Sequence, residues 1–304
     1  MSQVDSRPGR QPDLAGLLSG MRNPDKLADH PLTIACLEAG ERLLHSDFAR
    51  DAGQLPPAKG SRPPFEELLA WLSRRRILAE AERVQQKSRK KNTDAVPTES
   101  AFRHRWGTQV DYLRDLVVFT LMPRLHGPDQ AQIDGARGIV EKVRDEGRPL
   151  HEAIDEIAFS VVTALMQDKT FRLQLVFQAT LAHDDIVKNM LHRVDQAKIR
   201  AWTDFYCWAL TELGLGSDRW RPGTDIKHLA KALHATAEGV VVRALICPAL
   251  HSQIAAQVLA EDPQKSSLAV VVKALLVAFV DDAGDGMALN QSVDRLSRQL
   301  KQDA

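Results

Sequence analysis

Cysteine is almost missing from this chain of 304 residues. Cys36, Cys207 and Cys247 lie far apart, so no CxxC metal or redox pair exists, and usage this sparse favours a reduced, cytoplasmic setting. Aromatic residues make up only 5%. Neither charge sign dominates, since 40 Lys and Arg balance 40 Asp and Glu; any attraction for a polyanion must come from local clustering. Long apolar runs are absent too. The longest, Leu268–Val280, is interrupted by Lys273 and is too short to cross a bilayer, so no membrane association is expected. The opening MSQVDSRPGRQPD has no apolar core and does not read as a signal peptide. No GxSxG, P-loop or dinucleotide fingerprint occurs, and no fixed-period repeat suggests a solenoid. The expectation is a protein that is not an enzyme and carries no cofactor.

Hydrophobic residues reach 44%, enough for a buried core. They recur at spacings of three and four, without alternating runs, which predicts an all-α protein. Residues 1–29 are polar and rich in proline and glycine, and read as a flexible arm. Residues 30–126 form a first domain. The cluster His126-Gly127-Pro128-Asp129 stops a helix and marks the joint to a second domain, 127–304.

Charge is concentrated in the first domain. Between Arg74 and Trp106 stand ten Lys or Arg against four Asp or Glu. Such a block suggests phosphate contact, because each phosphate neutralised releases counterions. Leu32, Ala35, Cys36, Ala39 and Leu43 predict one helix ending near His45. Asp51–Pro64 is a loop with four prolines, and a second helical pattern runs from Phe65 to Val84. After a break at Asn92–Pro97, Thr98 or Ser100 can cap a short basic helix that ends at Trp106 and breaks at Gly107. An amphipathic helix with Leu113, Leu116, Val117 and Leu121 follows. A helix that short must dock on neighbours, and a basic third helix is the plan of a helix-turn-helix domain.

The second domain shows apolar helical faces at Ala153–Leu165, Phe171–Ala182, a long pattern closed by Gly214, Leu229–Leu245, and Leu268–Phe279. The last two are apolar over more than one stripe. Burial between two copies of the chain would explain that, with Val240, Leu268, Val272, Leu276 and Phe279 as the expected dimer interface.

Both halves resemble the tetracycline-repressor (TetR) family of one-component transcription regulators. The likeness is carried by PTESAFRHRW (Pro97–Trp106) with GTQVDYL after it, by FRLQLVFQATLAHDD (Phe171–Asp185), by AWTDFYCWALTELGL (Ala201–Leu215) and by RPGTDIKHLAKALHATAEGVVVRAL (Arg221–Leu245). It implies a helix-turn-helix domain that binds double-stranded operator DNA, a helical domain that binds a small-molecule effector, and a homodimer. DNA contacts would then fall on Thr98, Ser100, Arg103, His104 and Arg105, with Lys90 and Lys91 in the preceding loop. Phe177, Trp202, Phe205 and Tyr206 would line the effector pocket. His183-Asp184-Asp185 becomes a helix-start turn rather than a metal site. The chain departs from the family in a longer connection before the reading helix, Gln85–Ala95. A TetR-like dimeric scaffold without operator binding is the alternative.

Overall fold

The computed structural model describes residues 14–50, 72–87, 96–127, 129–215, 220–246 and 267–280. Every regular element among them is a helix, with two isolated β-bridges between loops and helix ends. The protein is an all-α, multi-helix bundle. The Asp51–Pro64 loop, the expected helix start at Phe65, Lys90 and Lys91 lie outside the described residues. No described helix is long and apolar enough to cross a membrane.

The chain forms two compact units, each built from two stretches of sequence: 1–123 with 169–194, and 124–168 with 195–304. In the first, a single turn α1 (Pro24–Leu27) leads into α2 (Pro31–Arg50), α3 (Arg74–Lys87), α4 (Glu99–Arg105) and α5 (Gln109–Leu121). α9 (Lys169–Leu181) and the start of α10 (Asp185–Glu212) complete it. The short α6 (Pro123–His126) straddles the boundary. α2 extends beyond the expected end at His45, because neither glycine nor proline interrupts Ser46–Arg50. Gln85–Lys87 belong to α3 rather than to the following connection.

The segment from Leu14 to Asp29 is not a free arm. Leu14, Leu18, Met21 and Ala28 are buried, and Met21 bridges to Trp106. The core beneath is aromatic. Phe102, Trp106 and Tyr112 stand with ring centroids 4.9 to 5.0 Å apart, and burying each is worth about 2–3 kcal/mol. The Tyr112 hydroxyl donates to the Cys36 carbonyl at 2.8 Å. That approach requires Gly40, where a Cβ would stand 2.2 Å from the Tyr112 oxygen.

The second unit contains α7 (Gln130–Glu146), α8 (Leu150–Gln167), the remainder of α10, α11 (Ile226–Ile246) and α12 (Ser267–Phe279). α10 ends in a Schellman motif. Gly214 takes φ 71°, Leu215 N–H donates to the Leu210 carbonyl, and Gly214 N–H to Thr211. Asp225 caps α11 by accepting from His228 N–H at 2.7 Å. Arg221 N–H donates to the Phe279 carbonyl at 2.9 Å, tying the turn before α11 to the end of α12. Lys273, the charge that interrupts the apolar run, donates to buried Asp155 of α8 at 2.8 Å. The pairing explains how a lysine fits there, since an unpaired carboxylate would be costly.

Candidate nucleic-acid interface and apolar cavity

The basic helix is built as its sequence suggests. Thr98 caps α4 by accepting from Ala101 N–H at 3.2 Å. Thr108 and Asp111 form a reciprocal capping box at the start of α5. Phe102 and Trp106 are buried and hold α4 down. Thr98, Ser100, Arg103 and His104 are exposed. Arg103 donates to Glu99 one turn earlier at 2.5 Å, an exposed pair worth little in water and therefore easily exchanged for a phosphate. On α3, Arg75 and Arg76 are also exposed, while Arg74 lies over the Phe102 ring and within 3.9 Å of Glu99.

Arg105 is a correction. It was expected to contact DNA, but it is 5% exposed. Its guanidinium donates to Thr33 Oγ1 at 3.0 Å, to the Ala101 carbonyl at 2.9 Å and to His30 Nδ1 at 2.9 Å. Leu32 N–H donates to the same His30 nitrogen, so that nitrogen is an acceptor and the ring is neutral. Burial, and then the Arg105 charge, hold His30 below the ordinary histidine value. One buried and two partly buried bonds make Arg105 a strut between α4 and the residues around α2, not a group offered to a groove.

Asp115, missed in the sequence, clamps the same turn. It accepts from Trp106 Nε1 at 2.9 Å and from Gly20 N–H at 2.8 Å. Burial pushes its carboxyl up to about 6 despite those bonds. Gly20 is required there, because a Cβ would stand 2.2 Å from the Asp111 carbonyl oxygen. The available signal was an acidic residue inside the apolar pattern Tyr112–Leu121. Nearby, Asp184 accepts from Arg114 Nε at 2.7 Å and from Ile186 and Val187 N–H groups; its carboxylate is thus engaged as a cap and an ion-pair partner.

The second unit holds an apolar cavity of about 100 Å³. Phe205, Tyr206, Leu233, Leu268, Val272 and Leu276 are among its walls. A smaller chamber of about 30 Å³ shares Val161, Tyr206, Leu233 and Ala237 with it, and adds Asp129, Trp202 and His234. Phe205 and Tyr206 therefore line the larger space, Tyr206 also the smaller, and Trp202 the smaller. Phe177 does not line either: it is fully buried in the first unit, because its helix carries Phe171, Leu173 and Leu181 into that core.

Of the expected dimer residues, Leu268, Val272, Leu276 and Phe279 need correction. Leu268, Val272 and Leu276 face the cavity, Phe279 meets Trp220 edge-on at 6.3 Å, and Val240 is half-buried. Val272, Leu276 and Phe279 turn toward their own chain because that stripe of α12 covers Leu210, Leu229 and Leu233, and Leu268 is buried as well. The opposite stripe is the open one. Val270 is 56% and Val277 62% exposed, with Val271 beside them and Ala274 between.

In comparisons with known proteins, no family model, no curated protein and no solved structure matches the chain.

Proposed function

We propose that this protein is a DNA-binding transcription regulator, a repressor in its simplest form, controlled by a small molecule held in its second unit. The resemblance to the tetracycline-repressor family motivates the reading. The observation that carries it is α4: a capped, seven-residue helix pinned by Phe102, Arg105 and Trp106, with Thr98, Ser100, Arg103 and His104 on its open side. A helix presenting hydroxyls, an arginine and an imidazole can place donors on base edges and phosphates. The exposed arginines of α3 add a sequence-independent attraction.

Two reading helices are needed to match successive major grooves, so the regulator acts as a homodimer. The open apolar stripe Val270, Val271, Ala274 and Val277 supplies a surface for a second copy. An effector then acts by favouring one spacing of the reading helices over another.

Fluorescence anisotropy of labelled duplex DNA across a salt series tests the DNA part. Affinity should fall steeply with salt. Arg103→Ala should weaken binding by about 1–3 kcal/mol, with relaxed sequence preference if Arg103 pairs with a base. Salt-independent, weak retention unaltered by Arg103→Ala would leave only the dimeric scaffold.

A further inference from the structure

Tyr206 stands where the two chambers of the second unit meet, and among the described residues its hydroxyl makes no hydrogen bond. Tyr206 is half-buried and its oxygen stays reachable, so the hydroxyl can meet a ligand there. Beside it is Asp129, which is peculiar in two ways. It is the only non-glycine residue with positive φ among the described residues, at 56°. It also occupies the cap position of α7 without capping it. Its carboxylate turns instead to Trp202, accepting from Nε1 at 3.0 Å on the wall of the smaller chamber, while its other oxygen lies 4.0 Å from the Arg124 guanidinium. The third polar wall, His234, is engaged with Glu238 at 3.1 Å, and Glu238 with buried Lys198 at 3.2 Å. The smaller chamber thus offers one unused hydroxyl and a carboxylate with a lone pair to spare, next to a space walled by hydrocarbon.

We propose that the two chambers together bind a small phenol or cyclic alcohol, with its ring in the larger space and its hydroxyl in the smaller one. The bound hydroxyl accepts from the Tyr206 O–H and donates to the Asp129 carboxylate. The size is close to this class: an enclosed apolar cavity of about 150 Å³ takes benzene, and here about 100 Å³ adjoins a pocket of about 30 Å³, both partly open, so a small ring with one polar atom need not be wholly enclosed. Charge selects within the class. Asp129 and Asp168 share the single cation Arg124, so this corner keeps a net negative charge that disfavours a carboxylate head, and an apolar ring alone leaves the Tyr206 hydroxyl without its partner. The inference rests on the effector-binding part of the reading above and names the chemistry of that effector.

Titration calorimetry with 4-methylphenol, toluene and 4-methylbenzoate on the full chain tests it without DNA. The expected result is 4-methylphenol binding about tenfold more tightly than toluene, with no heat from 4-methylbenzoate. Tyr206→Phe should erase that preference. Equal affinity for 4-methylphenol and toluene in the unmodified protein overturns the polar subsite while leaving the cavity as a binding site. Silence from all three at about 1 mM overturns the subsite and the effector site together. Neither result touches the DNA part, which is read separately. The ligand series on the unmodified protein decides the matter even where Tyr206→Phe fails to fold.

Discussion

Arg103 and Arg105 sit two positions apart on α4, and helical geometry sends them opposite ways. Arg103 is 61% exposed beside Glu99, whereas Arg105 is surrounded by Thr33, Ala101 and His30. Arg105→Ala should therefore act on stability. Leaving these buried acceptors unpaired costs about 2–4 kcal/mol, seen as an early urea midpoint, while Arg103→Ala leaves the midpoint in place. Reversed effects would contradict the burial described. Asp115 gives the residue scale a pH signature. Burial raises its carboxyl from the ordinary 3.8 to about 6; bonds from Gly20 and Trp106 oppose the rise, and Asp111 adds to it. The folded state thus keeps this proton to higher pH than the unfolded chain does. Its contribution is most favourable below 3.8 and is lost as pH rises to about 6, a change on the order of 3 kcal/mol. Urea unfolding of the protein and of Asp115→Asn should differ in slope with pH only inside that window. Parallel curves would show that Asp115 titrates normally.

At the scale of the element, α12 shows what periodicity reveals and what it conceals. Spacing identified a helix over Leu268–Phe279, and the structure has it. Both its stripes are apolar, so nothing in the sequence said which one turns inward. Leu268, Val272 and Leu276 form the wall of the cavity, and Val270, Val271 and Val277 remain outside. The two stripes should answer a charge differently. Val277→Asp should yield a folded monomer, with helicity and melting temperature close to those of the unmodified protein. Val272→Asp should lose about 3–5 kcal/mol of stability, because a carboxylate there lacks a partner. Sedimentation velocity with circular dichroism separates these results. A monomeric unmodified protein at micromolar concentration would remove the dimer from the account. Arg105 was illegible for a similar reason: two cations in one basic helix look alike until the docking side is known. Caps were easier to read, since Thr98, Gly214 and Asp225 act locally and their chemistry is written in their own few residues.

For the whole molecule, the sequence suggested a break near His126–Asp129 and continuous domains on either side. The compact units are instead discontinuous, with 169–194 joining the first and 124–168 joining 195–304. Pairings such as Asp129 with Trp202 and Asp155 with Lys273 span long stretches of chain, and residue spacing carries no trace of them. The polar corner of the cavity, with Asp129, Tyr206 and His234, was hidden for that reason, while the aromatic helix that supplies Tyr206 was visible. The central claim is that a dimer of this chain reads a DNA sequence through α4. Selection of bound duplexes from a random DNA pool, followed by sequencing, tests it most directly. The account predicts enrichment of an inverted repeat whose half-sites lie about one helical turn apart, lost on Arg103→Ala. A pool that stays unenriched at low salt would contradict it.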